Sequence, residues 1–335
     1  MSKKLYAFLA LVLVAAFTLT ACGAVGGGGG VKACQVTDAG GIDDKSFNAT
    51  VWKGFEEAAA DFDVEVKYLE SQQQTDYETN INAFIEEDCD LIVSVGFLLG
   101  DATYAAAEAN PDQKLAIVDY PNADPAYENL EGMLFNTDEA AFLAGYIAAA
   151  KTETGVVGTF GGINIPSVTV FMDGFWYCVQ YYNEENGTDV EVLGWDPAAQ
   201  EGLFTGNFES ADDGRAFGES LMDEGADIIM PVAGPVGLGT AAAVQERGGA
   251  WVIGVDTDWT VSASEYADIV LTSVLKNMDV AVYNMIEDIK AGTWEGGGNY
   301  FGTLENNGVG VVPVAGIDLQ PLIDGIIAGD IQTAP

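Results

Sequence analysis

The chain predicts an α/β protein made of two doubly wound parallel-sheet lobes joined by a multi-crossing hinge. Short β-rich runs alternate with longer amphipathic ones, and the alternation restarts once near residue 150. Size agrees: of 335 residues, roughly 300 lie beyond an N-terminal glycine run, enough for two domains of ordinary length.

Strands are expected at residues 33–37, 64–69, 91–95, 115–118 and 133–135. Between the first two, residues 46–62 read as a helix with Ser46 as N-cap and Phe47, Val51, Phe55 and Ala58 or Ala59 on one stripe. Residues 77–87 place Ile81, Phe84 and Ile85 on another. Strands separated by helices need crossovers, which make a parallel sheet with both faces covered. After a helix at 138–150, strands at 156–160, 190–193, 228–232 and 251–255 alternate with helices at 168–182, 213–224 and 240–247. The remaining strand at 269–273, helix at 278–290 and segment 300–313 are too few for a third domain and should complete the first two. Lobe 1 is therefore expected to hold residues 32–150 plus about 257–291, and lobe 2 residues 151–256 plus about 292–330. Such a clamp takes its ligand between the carboxyl ends of its strands.

Ahead of the lobes, Lys3 and Lys4 precede an apolar run at 5–19 that ends in Leu19-Thr20-Ala21-Cys22. This resembles a lipoprotein signal: residues 1–21 as the leader, and Cys22 as the residue acylated, with a chain such as palmitate, ahead of a Gly-rich tether at 22–31. The run is short for a membrane span, which needs about 20 residues. An ordinary secretory leader with a chance cysteine is the alternative. Either way the expectation is an exported domain, and the lipoprotein reading holds it by the lipid at the extracytoplasmic face of the cell membrane.

The formal charge is −40, from 12 Lys and Arg against 52 Asp and Glu. That surface repels nucleic acid and anionic lipid, so no nucleic acid partner is expected. The acids are spread along the chain, which fits a solvated, salt-adapted surface. There is no histidine, which removes a His-dependent triad, a His-ligated metal and a His general base. No metal and no cofactor are expected. Cys34, Cys89 and Cys178 remain in an oxidising compartment. A sheet of order 2-1-3 puts the strands of Cys34 and Cys89 side by side, so a Cys34–Cys89 disulfide is expected, with free buried thiols as the other reading. Cys178 sits in a helical run and reads as a small core residue.

The densest constellation is Asp38-Ala39-Gly40-Gly41-Ile42-Asp43-Asp44-Lys45-Ser46-Phe47-Asn48, just past the first strand. A glycine-containing loop running into a helix start presents backbone N–H groups and polar side chains at a switch point. It can equally be a plain βα loop in which Gly40 and Gly41 supply positive φ. Asp38, Asp119, Gly234 and Asp256 each fall just past the carboxyl end of an expected strand, which puts them around one cleft.

The run 38–48 resembles the signature of the basic membrane protein family of lipoproteins, purine nucleoside receptors with the type I periplasmic-binding-protein fold. Ala116-Ile117-Val118-Asp119, Ala141-Phe142-Leu143-Ala144-Gly145-Tyr146, Ala233-Gly234-Pro235-Val236-Gly237, Gly254-Val255-Asp256 and Leu271-Thr272-Ser273-Val274-Leu275-Lys276 resemble family blocks, in the family's order. The resemblance implies a non-enzymatic receptor that delivers purine nucleosides to the permease and ATPase subunits of an ABC importer. It implies that Asp38, Asp44, Ser46 and Asn48 serve the first-lobe loop and that Asp119 bonds base or ribose. It implies that Asp256 and Lys276 hold the ribose, while the glycine-rich run from Gly234 to Gly239 reads by itself as backbone approaching the ligand. Ionised carboxylates suit hydroxyl and ring N–H donors, each such bond contributing roughly 1.5–3 kcal/mol. Lys276 should partly neutralise Asp256. Phe208 is the aromatic expected against the base, with Phe204 and Trp195 as alternatives, and Phe47 either faces the base or packs. A sugar or other small polar ligand on the same clamp is the second reading. A glycosidase-like carboxylate pair and a surface sensor are further ones.

Overall fold

The computed structural model describes residues 30–334. The leader, Cys22 and most of the tether lie outside the described residues. The first alternation runs β1 (Val31–Val36), α1 (Phe47–Asp61), β2 (Val64–Leu69), α2 (Tyr77–Glu86), β3 (Leu91–Val95), α3 (Gly100–Ala109), β4 (Lys114–Val118) and β5 (Leu130–Phe135). The second runs α4 (Thr137–Lys151), β6 (Val156–Gly161), α5 (Pro166–Asn186), β7 (Glu191–Leu193), β8 (Trp195–Asp196), β9 (Glu201–Gly202), α6 (Ala211–Asp223), β10 (Ile228–Val232), α7 (Gly237–Arg247), β11 (Trp251–Gly254), α8 (Trp259–Ser262) and β12 (Val270–Lys276). The chain closes with α9 (Met278–Ala291), β13 (Asn299–Gly302), β14 (Val309–Val311) and α10 (Gln320–Ile327).

Two six-stranded sheets result, ordered β2-β1-β3-β4-β5-β13 and β7-β6-β10-β11-β12-β14. The first is parallel throughout, and in the second only β14 runs antiparallel, against β12. Every residue of β3 and of β10 is buried, as strands covered by helices on both faces require. The fold is thus the doubly wound α/β pair of lobes that the alternation predicts.

Lobe membership differs from the expected boundaries at three places. Helix α4, expected in lobe 1, packs on α5 and against β12 and β14 in lobe 2. A Cβ on Gly145 would lie 2.6 Å from the Phe175 carbonyl oxygen, so the two helix backbones touch where the side chain is missing. Phe142, Leu143 and Ile147 of α4 bury against Leu322 and Ile326 of α10. Segment 257–276, also expected in lobe 1, ends in β12, a central strand of the lobe 2 sheet, while β13 at 299–302, expected in lobe 2, pairs with β5 in lobe 1. Of segment 257–291, α9 packs on α1 of lobe 1. Three crossings follow, at Asn136, at Asn277 and between β13 and β14. They are stitched together, with Asn136 N–H donating to Gly302 O at 2.8 Å and Asn277 N–H to Gly308 O at 2.9 Å.

The structure joins Cys34 and Cys89 in a disulfide with Cα atoms 6.2 Å apart, beside the β1–β3 pairing. Cys178 is a buried free thiol facing Gly145.

Candidate functional site

Both sheets end at one cleft. Its lining is drawn from both lobes. Of the expected site residues, Asp38, Asp44, Phe47, Asn48, Asp119, Phe208, Gly234, Asp256 and Lys276 line it, and Ser46 does not. Trp195 and Phe204 do not line it either. Trp195 is buried, with its indole N–H donating to Asp173 at 2.9 Å.

The loop after β1 is organised by Asp44 and not by Ser46. Asp44 Oδ1 accepts from the N–H groups of Ser46 and Ala49, each at 3.0 Å, and Oδ2 accepts from Asn48 N–H at 2.8 Å. The carboxylate therefore satisfies the free amides at the start of α1, which is the work of a cap. Ser46, expected as that cap, makes no capping bond. Its hydroxyl instead crosses the cleft and donates to Asp256 Oδ2 at 2.9 Å. Of the paired glycines only Gly41 is left-handed, with φ 72°. Asp38 Oδ1 accepts from Gly40 N–H at 2.9 Å and from the Asn48 amide at 2.8 Å, while the structure gives Oδ2 no protein donor among the described residues. Burial pushes Asp38 and Asp44 each up to about 6, against the hydrogen bonds that pull them down.

Asp119 and Asp256 occupy matching places in the two lobes, one step past β4 and two past β11. Both are left-handed, with φ 68° and 69°, a conformation uncommon for residues other than glycine but tolerated by aspartate. Lys276, the last residue of β12 and itself 2% exposed, sets its ammonium 2.6 Å from both carboxylate oxygens of Asp119. The expectation that Lys276 partly neutralises Asp256 holds only at a distance. The direct partner of Lys276 is Asp119 of the opposite lobe, and Asp256 feels the ammonium only through space. Burial raises Asp119 while Lys276 lowers it, and burial pushes Asp256 up to about 6. The same ammonium lies 4.9, 5.3 and 5.9 Å from the ring centroids of Phe47, Phe135 and Phe171, close enough for cation–π attraction.

The lining also includes Phe97, Leu98, Ile165, Ser167, Val168 and Phe171, none of which the sequence reading singled out. Phe97 and Leu98 follow β3 by two and three residues, so the strand-end rule that found Asp119 could have found them. Phe171 lies one turn inside α5, where nothing in the helical pattern separates a cleft residue from a core residue. Exposure leaves the same ambiguity, since Phe171 is 2% exposed. The arrangement can hold a flat apolar group among rings and bond its polar edge through carboxylates and one ammonium. Among the described residues no group of three or more His, Cys, Asp or Glu is placed to hold a metal ion.

The sequence model of a family described as "ABC transporter substrate-binding protein PnrA-like" matches residues 31–324. A Listeria innocua protein named "CD4+ T-cell-stimulating antigen" is 30% identical, over 93% of this chain and 91% of its own. A Lactococcus lactis protein named "ABC transporter nucleoside-binding protein BmpA" is 29% identical, over 92% of this chain and 91% of its own. Among solved structures, an ABC transporter solute-binding protein from Aeropyrum pernix K1 superposes with a TM-score of 0.75 at 28% identity. That match covers 91% of this chain and 87% of the other.

Proposed function

Since the chain belongs to the PnrA-like family of ABC transporter substrate-binding proteins, we propose that its cleft binds a purine nucleoside for import. The observation that carries this reading is the pairing of rings with carboxylates on one lining: Phe47, Phe97, Phe171 and Phe208 with Asp38, Asp119 and Asp256. A purine needs two apolar faces and acceptors for its ring N–H groups, and a ribose needs acceptors for its hydroxyls. A free monosaccharide would leave much of this aromatic surface without a partner. The name of the Lactococcus lactis relative supports the ligand class.

In this reading Asp38 and Asn48 face the base edge from lobe 1, while Asp119, Asp256 and Lys276 hold the ribose. Phe208 lies against the base face, and Gly234 lets backbone approach. Asp44 and Ser46 act on the loop and on lobe closure. Cys22 carries the acyl chain, the glycine run lets the clamp reach a permease, and the protein works at the extracytoplasmic face of the membrane. Binding needs no covalent step, so the site is read as non-catalytic. The test is mass spectrometry of ligand released from the purified chain beginning at Gly23, with calorimetric titration of purine and pyrimidine nucleosides and of ribose alone. A folded protein that binds no nucleoside ends the proposal, and ribose binding as tightly as nucleoside moves the ligand to a sugar.

A further inference from the structure

The ring of Phe208 reaches the cleft from an irregular segment, and its seat is made by a glycine that the backbone conformation does not require. Gly162, directly after β6, is not among the left-handed glycines, so alanine there meets no strain from φ. A Cβ built on it nevertheless collides with the Phe208 ring and lies 2.9 Å from the Asn207 carbonyl oxygen. Gly162 cannot move aside, because its N–H donates to Val232 O at 2.9 Å and its carbonyl accepts from Gly206 N–H at 2.7 Å.

The Phe208 side is held too. Asn207 Oδ1 accepts from Ser210 N–H at 2.8 Å and its amide donates to Asp213 at 2.8 Å, tying the segment to α6. Thr205 N–H adds a bond to Gly161 O at 3.0 Å. With both backbones pinned, the free coordinate is the depth of the ring. We propose that Gly162 is a specificity-determining residue: its missing side chain seats Phe208 deep against β6 and so sets the width of the slot for the flat part of the ligand, with Asn207 as the positioning residue that keeps the ring there. The inference rests on the cleft being the ligand site proposed above, and its class of ligand is a two-ring heterocycle on a polar sugar.

The test is the single variant Gly162→Ala, then the same change combined with Phe208→Leu, titrated with purine and pyrimidine nucleosides beside the unaltered protein. The collision pushes the ring toward the cleft, so Gly162→Ala should weaken purine nucleoside binding by about tenfold or more, the effect of a misplaced methylene in a pocket. It should weaken pyrimidine nucleosides less, and the second substitution should bring the purine-to-pyrimidine ratio back toward that of the unaltered protein. Equal losses for all ligands, or no loss, would overturn the seat. Asn207→Ala should shift the same ratio, because a ring free to tilt no longer sets one width, and an unchanged ratio would remove Asn207 from the proposal. If the unaltered protein binds no nucleoside, the ligand reading fails, while thermal unfolding still decides the seat. The melting-point drop from Gly162→Ala must then be relieved in the Phe208→Leu background, and additive drops would refute it.

Discussion

The two lobes repeat one strand order yet bring different chemistry to the cleft. Lobe 1 supplies Asp38, Asp44, Asn48 and Asp119 to the lining, together with the apolar Phe47, Phe97 and Leu98. Lobe 2 supplies Ile165, Val168, Phe171, Phe208, Val232 and Pro235, with Asp256 and Lys276 as its charged members. Matching strand ends carry matching aspartates at 119 and 256, both left-handed. Matching turns after β3 and β10 diverge, Gly96-Phe97-Leu98 in one and Ala233-Gly234-Pro235 in the other. Topology therefore sets where a side chain stands and leaves its chemistry free. The asymmetry also ties the lobes together, because the one lysine of the lining comes from lobe 2 and its carboxylate partner from lobe 1.

The largest effect should come from removing that cross-cleft cation. Lys276→Met leaves the buried Asp119 carboxylate without its counter-ion, and breaking such a pair costs about 3–5 kcal/mol. Thermal unfolding should show the loss and calorimetry should show no measurable nucleoside binding. Unchanged stability would mean that this pair contributes nothing net to holding the lobes together.

Next in size, Phe208→Ala should cut affinity by about 1–3 kcal/mol, the scale of base–aromatic stacking, and should do so alike for every purine nucleoside, since all share the ring width that Phe208 sets. Asp38→Ala should cost about as much, roughly 1.5–3 kcal/mol for a charge-assisted bond, but unequally among bases, since only some present a donor there. Titration of the two variants against one nucleoside panel separates them. Parallel losses in both would erase the distinction between a stacking ring and a base-reading carboxylate.

A smaller effect is expected from pH, and it divides folding from binding. Asp38, Asp44 and Asp256 sit near 6 in the folded protein against an ordinary 3.8. The folded state therefore holds protons more tightly than the unfolded chain. The stability these groups contribute is complete below about pH 4 and is lost as pH rises through 6. Ligand donors favour the ionised carboxylates, so nucleoside affinity should rise across the same window. Melting points and affinities between pH 4.5 and 7.5 should run in opposite directions, and Asp256→Asn should flatten both. Trends of the same sign would mean that the ligand binds the protonated acids.

The smallest change belongs to Lys45 and Glu265. They bridge the lobes at 2.6 Å, but with side chains 44% and 50% exposed, where screening leaves an ion pair little. Lys45→Ala should leave both melting point and affinity nearly unchanged. A large loss would move the closing contact from the buried pair to the surface.

Much of this protein was legible in one dimension because the information is local. Strand and helix periods depend on neighbours a few residues apart, so the alternation and its restart could be read directly, and the order 2-1-3 followed from the doubly wound class they imply. The placement of Asp38, Asp119, Gly234 and Asp256 past strand ends follows from the same rule. The ligand-facing residues that escaped had no local mark. Phe171 follows the same helical stripe as core residues, and the significance of Gly162 appears only when Phe208, far along the chain, lies against it.

What the sequence determined by itself was the class of fold, the acidic surface, the absence of histidine chemistry and the ends of the strands that face the cleft. Tertiary structure decided the rest. It decided that α4 belongs to lobe 2, that β12 and β13 go to opposite sheets, that Asp44 caps α1, and that Ser46 and Lys276 bond across the cleft. The reason is range. Periodicity and capping propensity act within a few residues, whereas Lys276 meets an aspartate 157 residues away. Which of two buried acids takes the one available cation is settled by where the hinge sets the end of β12.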